Sequence, residues 1–245
     1  MKEDTQKIIN YAPMRMQEML RSVYNYNSDF CVAENEKLLE KILFAMSIID
    51  RKFFVSDEEY AYDDNALPIG KGQTISQPST VARMLLLAEL EEGDDVLEIG
   101  AGSGWNASLM SFLVYPGNVL SIDRINSLVK NAQENLSKLR NYIKQKKPQD
   151  FVKLEKLNFL IENIFSEGKT WKKHYDKIII TAGIADKETE DKVEEIAKSL
   201  LKQDGRLICP YVSGPLIIFK KKDRLIKEKT KEQYVFVPLL EGMEK

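Results

Sequence analysis

The sequence predicts an α/β fold: a doubly wound, mostly parallel sheet with an antiparallel C-terminal edge hairpin and an N-terminal helical extension. Three observations carry this. From about residue 94 to residue 210, strand-like and helix-like segments alternate, the signature of βαβ units. The runs VLEI (96–99) and KIIIT (177–181) are apolar without alternation, as expected of parallel strands covered on both faces. Gly93 and Gly100 punctuate the first of these strands on either side.

The elements follow in order. Residues 1–60 read as a helical extension packed on the core, and 61–245 as the main domain. Within the extension, NEKLLEKILFAMSII places Leu38, Leu39, Ile42, Leu43, Met46 and Ile49 on one helical face. YAPMRMQEMLRSVYNYN suits an amphipathic helix lying on the sheet, or a dimer arm, with Met14, Met16, Met19 and Leu20 as packing residues. A polar turn precedes a helix from about Ser79 to Leu90. Strand VLEIG, helix WNASLMSFL, strand NVLSID and helix INSLVKNAQENLSKL come next. A Lys-rich loop leads to strands LNFLI and DKIIITAG, helix EDKVEEIAKSLLK and strand GRLICPY. PLIIFKKK and EQYVFVPLL then read as the two strands of the edge hairpin.

Composition narrows the function. The 245 residues are 43% hydrophobic and 30% charged, with a net charge of −2, as in ordinary soluble globular chains. No basic field favours nucleic acid or anionic membrane, and the Lys clusters in KQKKPQD and FKKKDR read as a solvated loop and a strand end. Cys31 and Cys209 lie far apart in apolar surroundings, so buried thiols in a reducing compartment are expected rather than a disulfide. No signal-peptide pattern opens the chain and no run of 18 apolar residues occurs, which points to the cytoplasm.

The stretch VLEIGAGSGW places Gly100, Gly102 and Gly104 between a strand and a helix, where open α/β sheets bind ligands. The register is G-x-G-x-G, not the G-x-G-x-x-G of dinucleotide sites, which argues against a nicotinamide oxidoreductase. Glu98, two residues before the first glycine, would repel a pyrophosphate and suit an ammonium or sulfonium group. Asp123 ends the next strand, 23 residues after Gly100, where an acid can accept from both hydroxyls of a ribose. Glycine loop, Glu98 and Asp123 together resemble the S-adenosylmethionine site of class I methyltransferases.

LPIGKGQTISQP (67–78) resembles the signature of the protein-L-isoaspartate (D-aspartate) O-methyltransferase family. The resemblance runs from about residue 36 to 240, through AYDDNALPIG, LEIGAGSGW, YDKIIITAGI, GRLICPY and VFVPL, in the family's order. It implies a Rossmann-like enzyme that moves a methyl group from S-adenosyl-L-methionine to the free α-carboxylate of L-isoaspartyl residues in damaged proteins. The ester then closes to a succinimide that reopens partly to aspartate. By the same resemblance Ser76 is the active-site serine, with Thr74 and Gln73 shaping its loop. Ile75, Glu98, Gly100, Gly102, Ser103, Gly104, Asp123, Arg124, Asn163 and Ile164 are the expected cofactor-binding residues, and no metal is implied. Read without the resemblance, Ser76 is a cap for the following helix.

Departures from the pattern are also visible. Asn163 stands where the family carries an aspartate near the adenine amino group. RNYIKQKKPQDFVKLEK is a longer loop than usual, and VSGPLIIF lacks the family's glycine-rich turn and glutamine. Trp105, in place of a common tyrosine, reads as a core residue. The expected partners are isoaspartyl proteins and peptides, without nucleic acid or membrane, the enzyme acting as a monomer with a dimer as the alternative. Two other functions share these motifs: methylation of another acceptor (RNA or a small molecule), and a non-catalytic S-adenosylmethionine-binding adaptor.

Overall fold

The apolar runs do assemble into one sheet. The computed structural model describes residues 2–31, 35–166 and 173–244. Three helices open the chain: α1 (Glu3–Tyr11), α2 (Met14–Ser28) and α3 (Glu36–Ile48). A short hairpin follows, β1 (Leu67–Gly70) and β2 (Gln73–Ile75), and then α4 (Pro78–Ala88). The alternating part comprises β3 (Asp95–Ile99), α5 (Trp105–Val114), β4 (Asn118–Asp123), α6 (Asn126–Lys146), α7 (Pro148–Phe151) and β5 (Leu157–Ile161). It continues through β6 (Tyr175–Ile180), α8 (Lys187–Leu200) and β7 (Leu201–Pro210). The last strands are β8 (Ser213–Gly214), β9 (Leu216–Lys221), β10 (Leu225–Lys229) and β11 (Tyr234–Val235).

Among the described residues the main sheet has the order β10-β9-β7-β6-β3-β4-β5. β3 to β7 run parallel, whereas β9 and β10 are antiparallel additions at the edge. The chain leaves β3 towards β4 and β5, then returns to the other side of β3 as β6. The switch point therefore lies between β3 and β6, and a crevice opens at their carboxyl ends. Side chains alternate between two apolar layers, as the pleat requires. Val96, Val119 and Ile179 join the layer under α3 to α6, while Leu97, Ile122 and Ile178 join the layer under α8. Burial on both faces explains why these strands read as unbroken apolar runs.

Four expectations need correction. The edge hairpin exists, but β9 pairs with β10, the polar stretch LIKEK, and not with EQYVFVPLL. That later segment contributes only the two-residue β11, paired with β8. The Lys-rich loop is mostly helix, because α6 runs on to Lys146 and α7 begins at Pro148. Finally, α2 packs on α3 and α4 rather than on the sheet, burying Met16, Met19 and Leu20 but leaving Met14 82% exposed. On α3, the face of Leu39, Ile42, Leu43, Met46 and Ile49 is buried as its spacing predicts. Cys31 and Cys209 are free thiols.

Candidate active site

β3 ends at Ile99, and the chain turns at once. Gly100 has φ +101°, and a Cβ there would lie 2.2 Å from the Thr181 hydroxyl oxygen, so no other residue fits. The amides of Gly100 and Ala101 both donate to the Ile122 carbonyl at the end of β4, at 2.8 and 3.0 Å, which pins the loop across two strands. Ser103 is buried, and its carbonyl accepts from Asn135 on α6 at 3.1 Å. Gly104 belongs to packing instead of the cavity: a Cβ would press on Ala132 and Phe159, at 3.0 and 3.1 Å. The close approach lets α5 start against α6.

The two acids sit beneath and beside this loop. Glu98 is fully buried and accepts hydrogen bonds from the Ser121 hydroxyl, opposite it on β4, and from Asn106 Nδ2 at 2.8 Å. Burial dominates its titration and pushes its carboxyl up to about 8, with the Ser121 and Asn106 bonds working against that rise. Asp123 accepts from the Gly102 amide at 3.0 Å and the Ile125 amide at 2.9 Å, one on each oxygen. Burial again raises it above the usual carboxylate range, and the two backbone bonds offset only part of the effect. Asn106 Oδ1 is buried on the cavity wall without a hydrogen-bond partner.

The hairpin β1–β2 folds over the glycine loop. The Ile69 methyl Cδ1 lies 3.4 Å from where a Cβ on Gly102 would stand. Along β2, Thr74 is exposed, Ile75 is buried, and the half-buried Ser76 follows. Ser76 does not cap α4. Gln77 holds the N-cap position without a side-chain bond, and Asp64 from the lead-in loop accepts from the Ser79 amide at 2.8 Å and its hydroxyl at 2.6 Å. Arg51 holds the backbone here. It is fully buried, and its terminal nitrogens donate to the carbonyls of Ala61, Asp63, Asn65 and Ser76 at 2.9, 3.2, 2.9 and 3.2 Å. Burial lowers its guanidinium to about 10, still a cation at neutral pH. Trp105 lies under it, 5.3 Å from ring centroid to guanidinium, and donates its indole N–H to Ile49, as a core residue should.

Together these parts line one cleft at the carboxyl ends of the strands. Thr74, Ile75, Ser76, Glu98, Gly100, Gly102, Ser103, Asp123, Arg124, Asn163 and Ile164 all line it. Val237 to Leu240 add a further wall, which the sequence marks only through the VFVPL segment. Asn163 is also tied to this wall. Its Nδ2 donates to the carbonyls of Leu240 and Gly242 at 3.0 and 2.9 Å, and its Oδ1 accepts from the Phe165 amide at 2.9 Å. Arg124 likewise turns to this segment, donating to the Gly242 carbonyl at 2.8 Å. Arg51 and Asn106 were missed as well: Arg51 acts on carbonyls up to 25 residues away, and Asn106, eight residues from Glu98, reads as an ordinary polar helix residue. The donor set fits a nucleoside with a cationic arm: Asp123 for ribose hydroxyls, and Glu98 with the unpartnered Asn106 Oδ1 for an ammonium.

Comparison with known proteins agrees with this geometry. The family model for protein-L-isoaspartate(D-aspartate) O-methyltransferase matches residues 30–244. A protein-L-isoaspartate O-methyltransferase from Methanothrix thermoacetophila is 33% identical over 233 residues, 93% of this chain and 95% of the relative. One from Thermococcus sibiricus is 41% identical over 209 residues, 82% of this chain and 86% of the relative. Among solved structures, a candidate protein-L-isoaspartate O-methyltransferase from Plasmodium falciparum, in complex with S-adenosyl-L-homocysteine, shares the fold. The TM-score is 0.70 at 24% identity, covering 90% of this chain and 97% of that one. With a family model matched over most of its length, and relatives above 30% identity along nearly all of it, the chain belongs to the protein-L-isoaspartate(D-aspartate) O-methyltransferase family.

Proposed function

We infer that this chain transfers a methyl group from S-adenosyl-L-methionine to the α-carboxylate of L-isoaspartyl residues in damaged proteins. The carrying observation is that the GQTIS hairpin and the glycine loop with its two acids face one cavity. The bound cofactor supplies the electrophile, a methyl on a sulfonium. The acceptor is a carboxylate with a pKa near 4, ionised at neutral pH, so no residue of the chain has to remove a proton. The chain's work is alignment, which contributes on the order of 7–11 kcal/mol when the reacting atoms are well placed. Asp123 takes the ribose hydroxyls, and Glu98 and Asn106 accept from the ammonium. Ser76, its carbonyl fixed by Arg51, offers its hydroxyl to the incoming carboxylate, and Thr74 borders the same approach.

Further parts of this reading are the substrate and the setting. The partners are isoaspartyl-containing proteins and peptides, met by a monomer in the cytoplasm, without nucleic acid or membrane. Residues 61–245 form the methyltransferase domain, with 1–60 as its helical extension. A net charge of −2 gives no attraction to nucleic acid or anionic membrane, and among the described residues no helix is long and apolar enough to cross a membrane.

The test pairs an isoaspartyl peptide with its normal aspartyl twin in the presence of tritiated S-adenosylmethionine. Base-labile label should enter the isoaspartyl peptide alone. Ser76→Ala should then lower kcat about 10- to 100-fold, the cost of one hydrogen bond to a charged group, with S-adenosylhomocysteine affinity unchanged. Labelling of neither peptide by a protein that still binds S-adenosylhomocysteine would favour another acceptor or an adaptor.

A further inference from the structure

We propose that Asn163 is a positioning residue that clamps the segment 237–244 over the cofactor cavity and sets how fast the cofactor leaves. The proposal rests on the cofactor reading above. An amide nitrogen carries two hydrogens, and both are given to this segment, at the Leu240 and Gly242 carbonyls. The oxygen is held by the Phe165 amide, and the residue is 4% exposed. A carboxylate in the same place would have no hydrogen to give and would face two carbonyl oxygens. The tail therefore requires an amide here, which accounts for an asparagine where the family resemblance expects an acid beside adenine.

The clamped segment is itself part of the site, because Val237 to Leu240 line the cavity. Its near half is held by two backbone bonds, Gly183 N–H to the Val237 carbonyl at 2.7 Å and Leu239 N–H to the Gly183 carbonyl at 2.8 Å. Its far half is held by Asn163, by Arg124, which donates to the Gly242 carbonyl and accepts from the Glu244 amide at 3.0 Å, and by an ion pair between Glu241 and Lys192 on α8. The Glu244 carboxylate also reaches Arg124 at 3.4 Å and, at 3.5 Å, Lys71 in the turn of the hairpin that carries Ser76. The Lys71 pair is exposed, the Arg124 pair is long and only partly covered, and such pairs contribute little. The buried bonds from Asn163 are the firmest tie on the far half, so the tail opens when they open.

The test measures release of S-adenosylhomocysteine by stopped flow, and hydrogen exchange of the 237–244 amides in the cofactor-free protein. Asn163→Asp should speed release about 10- to 100-fold and raise tail exchange, while exchange in β3 and β4 stays unchanged. Release at the wild-type rate, or slower, would overturn the proposal and return residue 163 to adenine recognition. Deleting residues 241–245 should speed release in the same way and shrink the added effect of N163D. Should N163D not fold, the deletion decides alone, and unchanged release from it overturns the clamp. A wild-type protein that binds no S-adenosylhomocysteine would overturn the cofactor reading and the clamp together. Tight binding by the wild type with no response to either change would overturn the clamp only.

Discussion

Asp95 and Asp123 lie at opposite ends of neighbouring strands, and their surroundings differ sharply. Asp95 opens β3. Burial works to raise its pKa, but hydrogen bonds from Lys173, Asn118 and Lys202 prevail and bring the carboxyl down to about 2. Lys202 also pairs with Asp176 at 2.7 Å, so the amino ends of β3, β6 and β7 form an ion-paired rim. Asp123 closes β4, and near it Glu98 lies inside β3. Both are buried, both are met by neutral donors, and both are held above the ordinary carboxylate range. One end of the sheet has its negative charge answered within the protein; the other keeps acids short of a cation. Evolution of a structural rim has no use for such a deficit, whereas a site for a sulfonium and an ammonium does.

That contrast can be broken at either end. The largest expected effect is at the carboxyl end. Asp123→Ala should weaken S-adenosylhomocysteine binding at least about 100-fold, the value of two charged hydrogen bonds to ribose, as read by calorimetry. Wild-type affinity would then place the ribose elsewhere.

The next effect is one of pH. The Glu98 carboxyl, pushed up to about 8, is mostly protonated at neutral pH before a cationic arm arrives. Binding should therefore release a proton, and affinity should rise between about pH 6 and pH 8 by up to about tenfold per unit. The same group favours folding below its unfolded pKa of about 4.3, and that contribution is lost as pH rises through about 8. Glu98→Gln should flatten both profiles; a slope that survives the substitution would assign it to another group.

The smallest effect belongs to the rim. Asp95→Asn should cost about 1 kcal/mol of stability in denaturant melts and leave cofactor affinity alone. Its sign with pH is the reverse of that of Glu98. The Asp95 carboxyl is depressed, so its contribution is present above about pH 4 and is lost as pH falls towards 2. A change in affinity from this substitution would mean that the two ends are coupled.

The same division decides what could be read in the sequence. VLEIGAGSGW, with Asp123 one strand later, is a local pattern whose spacing is set by one strand–turn–helix, and Glu98, Gly100, Gly102 and Asp123 were visible in it. β3 and β6 were visible because burial on both faces leaves unbroken apolar runs, and their alternation with helices marked the other parallel strands. β10 was not, since an edge strand with LIKEK faces water and carries no apolar face. The tail wall was hidden for another reason. Asn163 meets partners 77 and 79 residues away, and nothing near residue 163 announces them. The packing part of Gly104 was not legible, because glycines that admit a ligand and glycines that admit a helix look alike in one dimension.

Arg51 extends the account from structure to motion. Its four hydrogen bonds gather carbonyls from residues 61, 63, 65 and 76 into one cluster, with no carboxylate bonded to the guanidinium. Opening any one of these segments leaves the buried cation short of an acceptor, which couples their opening. The lead-in loop and the Ser76 backbone therefore have linked opening free energies, and their amide exchange should be correlated.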